Sequence, residues 1–127
     1  MKIDGKFVET FEKISGQLSS MYEEIGALSK KNPDGPLKEF KIKFVNSIIS
    51  QCNTILEDKG RPFAEFEQFD IDTLPTASDV VMILGQYINC MEELRSDNVK
   101  LDAGQWRWRM EGDKSGPRTF IPIKLQK

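Results

Sequence analysis

The sequence predicts a mainly α protein, a three-helix bundle with a C-terminal β-hairpin, and three observations carry that expectation. Phe7, Phe11, Ile14, Leu18, Met21, Ile25 and Leu28 recur at alternating spacings of four and three, the seam of a long amphipathic helix. Two stretches rich in turn-forming residues, Asn32 to Pro36 and Gly60 to Pro75, divide the remaining helical pattern. From Trp106 onward the apolar period falls to two, which belongs to a strand. With 127 residues, the chain suits one domain, 1–127, in which 104–127 form the hairpin appendage.

The first helix is expected over Ile3 to Lys31. Its charges Lys6, Glu9, Glu12, Lys13, Glu23 and Lys30 lie away from the seam, while the flanking positions hold residues such as Val8, Ser15 and Tyr22. A buried face this broad suits packing against two neighbours better than a two-stranded coiled coil. Gly16 and Gly26 fall on the outer face and weaken the isolated helix, so packing must hold it. The second helix is expected from Pro36 to Asp58, with Leu37, Phe40, Phe44, Ile48, Cys52 and Ile55 as its main inward stripe, Val45, Ile49 and Leu56 widening one side, and Lys38, Lys41, Asn46, Asn53 and Glu57 wet. The short turn before it makes the first two helices antiparallel neighbours, and Gly60 ends it.

Between Arg61 and Pro75, the rings of Phe63, Phe66 and Phe69 stand three apart among Glu65, Glu67 and Asp70. On one short helical turn they would share a side and cover an open end of the bundle. The alternative is an acidic and aromatic docking segment. Thr76 then caps a third helix, Ser78 to Arg95, whose row of Val80, Leu84, Tyr87, Met91 and Leu94 marks it as the most buried. Ser96 to Gly104 reads as a polar exit. Trp106, Trp108 and Met110 alternate with Gln105, Arg107 and Arg109 in the first hairpin strand. Gly112 to Pro117 supplies the turn, and Thr119, Ile121, Ile123 and Leu125 line the second strand, whose Pro122 marks it as an edge.

Composition narrows the chemistry. There is no histidine, which removes the commonest general base and zinc ligand. Cys52 and Cys90 lie in helical apolar patterns outside any metal spacing and read as small buried hydrophobes, unbridged. The adjacent acids Glu23-Glu24 and Glu92-Glu93 diverge by about 100° on a helix, and Asp70-Ile71-Asp72 lacks the further ligands of a calcium loop. Gly112-Asp113-Lys114-Ser115 lacks the earlier glycine of a phosphate-binding loop. No cofactor, metal or catalytic residue is therefore expected.

The longest apolar run, Val80 to Leu84, is far short of the roughly 20 residues of a membrane span. The N-terminus lacks the apolar core of a secretory signal, so a cytoplasmic location is expected. Net charge is −2, but residues 57–73 carry −4 and residues 104–127 carry +4.

These features point to a small intracellular interaction protein, such as an adaptor, inhibitor or assembly component, working by surface recognition. Its candidate partner-binding residues are Arg107, Arg109, Lys114 and Arg118, with Lys124 and Lys127 alongside, and the rings Phe63, Phe66 and Phe69. If the tryptophans face inward, Arg107 and Arg109 form an outward stripe whose charge reversal should abolish capture and leave stability nearly unchanged. A protein partner is favoured. The alternative is a nucleic-acid-binding regulator using the same cations, against which the acidic pI of about 5.3 weighs. Homodimerisation through the long first helix is also expected.

Overall fold

A computed structural model describes residues 2–121. Three helices form the bundle: α1 (Gly5–Lys31), α2 (Glu39–Gly60) and α3 (Ala77–Asp97). Three short antiparallel strands follow in the order β1 (Val99–Asp102), β2 (Gln105–Arg109) and β3 (Ser115–Arg118).

The α1 seam is as the spacing predicts. Phe11, Ile14, Leu18 and Ile25 are buried, joined by Val8 and Ser15 on the flank. Asp4 caps the helix, its carboxylate accepting the Phe7 N–H at 2.8 Å. No other side chain lies within 4 Å of where a Cβ would sit on Gly16 or Gly26. Gly16→Ala and Gly26→Ala are therefore each expected to raise stability by about 1 kcal/mol, read as a higher urea midpoint at unchanged m-value.

The second helix departs from expectation in two ways. It begins at Glu39, because Gly35, Pro36 and Leu37 are drawn into a backbone pairing with the start of α3: Leu37 N–H donates to the Pro75 carbonyl and Ala77 N–H to that of Gly35, each at 3.0 Å. Its buried stripe is also rotated toward the side that Val45, Ile49 and Leu56 were expected to widen. Ile42, Val45, Ile49, Cys52 and Leu56, at spacings of three and four, form the core row, with Ile48 and Ile55 beside it. Asn46 and Asn53, expected to be wet, are buried, whereas Phe40 and Phe44, expected inside, are 71% and 51% exposed.

Three pairings set the helix directions. Lys41 meets Glu24 at 3.3 Å, Arg95 meets Glu12 at 2.9 Å, and the Tyr87 hydroxyl donates to Asn53 Oδ1 at 2.7 Å. Thus α1 runs antiparallel to both other helices, and α2 and α3 run parallel. The connection 61–76 must then travel back along the bundle. It does so beside α2, fastened by the Asn46 amide, which accepts the Phe69 N–H at 2.8 Å and donates to the Phe69 carbonyl at 2.9 Å.

This corrects the reading of the three rings. They share no helical turn, and the segment covers the flank of α2 instead of an end of the bundle. Phe66 and Phe69 meet edge to face at 5.1 Å and pack on the core, while Phe63 is exposed. Asn46→Ala is expected to cost about 2 kcal/mol, since it removes both bonds and leaves two partly buried backbone groups unpaired. Limited proteolysis should then cut first between residues 61 and 76.

The hairpin is a three-stranded sheet. The supposed polar exit after α3 contains β1, turned back by Ala103 (φ 52°) and Gly104 (φ 80°), both in the left-handed region that a tight hairpin turn requires. The next turn comes earlier than expected, at 110–114, where Gly112 and Asp113 have positive φ. Consequently β3 is Ser115–Arg118, and Thr119 and Ile121, expected within the strand, follow its end. Gly116 permits this close return, because a Cβ there would lie 2.5 Å from the Met110 side chain. The expectations for Pro122, Ile123, Lys124, Leu125 and Lys127 lie outside the described residues.

Candidate functional site

The two faces of the sheet have opposite character, and strand register shows why. Val99 pairs with Trp108 and Leu101 with Trp106, so these four apolar residues share one face. Trp108 is completely buried against Phe11 (centroids 5.0 Å apart) and Phe7 (6.4 Å) of α1; Trp106 is half-buried and Leu101 projects beyond the bundle.

On the other face, Lys100 pairs with Arg107 and Arg107 with Arg118, which sets three cations in one row across all three strands. Lys100 completes the row; the pattern of Ser96 to Gly104 reads as a polar loop and gives no sign of the strand that carries it. Sites expected from sequence thus come together here, although their freedom differs. The Arg107 guanidinium is half-buried, donating to the Gly116 carbonyl at 3.0 Å and to Gln105 Oε1 at 3.1 Å. Arg109 pairs with Asp113 at 3.1 Å, and Lys100 donates to the Asp113 carbonyl at 2.6 Å. Ser115 hydrogen-bonds Asp102. Lys114 and Arg118 are exposed and have no ion-pair partner among the described residues. Arg107 therefore also braces the β2–β3 pair, so the Lys114 and Arg118 charges are the ones whose reversal isolates recognition from stability.

Beneath the sheet lies a buried ionic cluster that periodicity did not reveal. The Arg95 side chain, 6% exposed, contacts Glu12 at 2.9 Å and Glu92 at 3.3 Å and lies over the Phe11 and Phe120 rings at 5.5 Å. Burial raises the Glu92 carboxyl above its ordinary value; Arg95 opposes the shift and Glu12 adds to it. The folded state thus holds this proton to higher pH than the unfolded chain does. Stability should fall as pH rises from about 4.5, the ordinary glutamate value, through the raised folded value. Glu92→Gln is expected to remove that slope, as measured by thermal melts across the acid range.

Cys52 and Cys90 are free thiols. Burial pushes Cys52 up to about 12 and raises Cys90 as well, so both are protonated and unreactive at neutral pH. Among the described residues no cluster of three or more Cys, Asp or Glu side chains could hold a metal, and no helix is long and apolar enough to cross a membrane.

The acidic pairs do not converge: Glu92 turns to Arg95, whereas Glu93 borders a cleft between the C-terminal ends of α2 and α3. Phe63, Phe66 and Phe69 are not gathered with the cations, because the connection lies on α2 while the sheet packs on the N-terminal half of α1. Comparison with known proteins gives no match to a family model, a curated protein or a solved structure.

Proposed function

We propose that the protein is a small intracellular interaction module, an adaptor, inhibitor or assembly component, which captures an acidic protein segment on the outer face of its C-terminal sheet and catalyses no reaction. The observation that supports this reading is the in-register row Lys100, Arg107 and Arg118 on the outer face of a sheet anchored by Trp108, with the exposed Lys114 in the turn just before β3. A face with cations held by the backbone register offers charge complementarity to an extended acidic chain at little ordering cost. Its carboxylates Asp102 and Asp113 leave only a modest positive balance, which suits a short acidic peptide more than a polyanion. A second copy of the chain is a further partner that this reading admits.

The rival reading is nucleic-acid contact through Arg107, Arg109, Lys114 and Arg118, favoured by the alignment of cations across three strands. Fluorescence anisotropy with a labelled polyglutamate-rich peptide and with a random duplex separates the two. The peptide should bind at low salt and lose binding in Lys114→Glu/Arg118→Glu with the melting temperature unchanged. Duplex binding with a steep salt slope, and none to the peptide, would favour the rival.

A further inference from the structure

The sheet cations have a counterpart on another flank of the molecule. In the connection between α2 and α3, Phe66 and Phe69 pack on the core, and the Asn46 amide holds both backbone groups of Phe69. With those rings turned inward, the acids around them face water: Glu65, Glu67, Asp70 and Asp72 are all exposed. None of the four has an ion-pair partner among the described residues. Asp70 accepts the Asp72 N–H at 2.9 Å, and the nearby Arg61 turns instead to Asp58 at 3.5 Å. The sheet lies at the end of the bundle where α2 and α3 finish, packed on the first half of α1. The connection runs back to the opposite end, where Thr76 pairs with Pro36, and Asp70 and Asp72 lie toward that end. The acids and the sheet cations therefore do not meet within one chain.

We propose that the acidic segment captured by the sheet is residues 65–72 of a second copy of this chain, so that copies associate head to tail. This inference rests on the sheet reading above and names its partner. The charges on both surfaces are left over by the fold. Lys114 and Arg118 are exposed and Arg107 touches no carboxylate, so an interface with the four acids breaks no ion pair inside either chain. The balance also matches, because residues 57–73 carry −4 and residues 104–127 carry +4. Both surfaces are ordered before they meet. Inward rings and the Asn46 clamp set the acids, and strand register sets the cations, which keeps the ordering cost of association low. The contact joins two different patches and is heterologous. The expected self-association thus moves away from the α1 seam, which is spent inside the bundle.

Sedimentation equilibrium at low ionic strength, with chain concentrations up to about 1 mM, tests it. The wild-type chain should self-associate, and added salt or a polyglutamate-rich peptide should dissociate it. Glu65→Lys/Glu67→Lys and Lys114→Glu/Arg118→Glu should each weaken self-association by about tenfold or more. An equimolar mixture of the two should form a one-to-one complex, because each supplies the charge that the other has reversed. Glu9→Lys/Glu23→Lys reverses two exposed acids of α1 and carries the same net charge as the connection variant, yet should associate as the wild type does. The connection variant should still bind the peptide, which shows its sheet to be intact. A wild type that binds the peptide but stays monomeric would overturn this inference and leave the sheet reading standing, whereas binding of neither would overturn both. Equal loss of association in the α1 and connection variants would also overturn it, since net charge and not the segment would then govern.

Discussion

Trp108→Ala is expected to remove about 4 kcal/mol of stability, a large fraction of the 5–15 kcal/mol typical of a domain. The indole is wholly buried between the sheet and α1, edge to face with Phe7 and Phe11, and no smaller side chain can fill that space. Its ring N–H finds no hydrogen-bond acceptor among the described residues. The loss therefore belongs to packing, and Trp108→Phe should recover most of it. A second consequence separates this residue from an ordinary core position. The sheet has no other deep anchor on the bundle than Trp108 and Val99, so hydrogen exchange in β1 to β3 should rise more than in α2.

Arg95→Ala is expected to cost about 3 kcal/mol, roughly 10 °C in melting temperature for a domain of this size. The guanidinium is the only cation that touches both Glu12 and Glu92 among the described residues, and its removal leaves two half-desolvated carboxylates facing one another. It also strips the cation from between the rings of Phe11 and Phe120. The pair Arg95→Met/Glu92→Met should recover most of the loss, because apolar side chains of similar volume avoid the desolvation that the ionic cluster bears. If the single and double variants are equally unstable, the cluster contributes through shape and not through charge.

What the sequence shows and what it hides have identifiable causes. The α1 seam and the Thr76 cap are local patterns, and both are found where periodicity and side-chain chemistry put them. In α2, two apolar rows compete on one helix. The row through Phe40 and Phe44 contains larger side chains, but the row through Ile42, Val45, Ile49, Cys52 and Leu56 keeps the stricter alternation of three and four, and it is the one inside. The parallel run of α2 and α3 was hidden because the three-apart rings of the sixteen-residue connection do not show which way it travels; the Asn46 clamp on Phe69 is a contact between residues 23 apart. The β1 strand was hidden because Val99-Lys100-Leu101-Asp102 is too short to distinguish from a loop, and with it went Lys100, the third cation of the sheet row. Arg107 and Arg109 were legible as outward cations, though not the carbonyl and carboxylate contacts that restrain them.

The most direct test of surface recognition is a calorimetric titration of a polyglutamate-rich peptide into the wild-type chain and into Lys114→Glu/Arg118→Glu at low ionic strength. Recognition by the cationic row predicts binding that weakens with added salt and vanishes in the variant, while both proteins melt at the same temperature. Equal affinity in the two proteins, or an absence of heat with either, would contradict it.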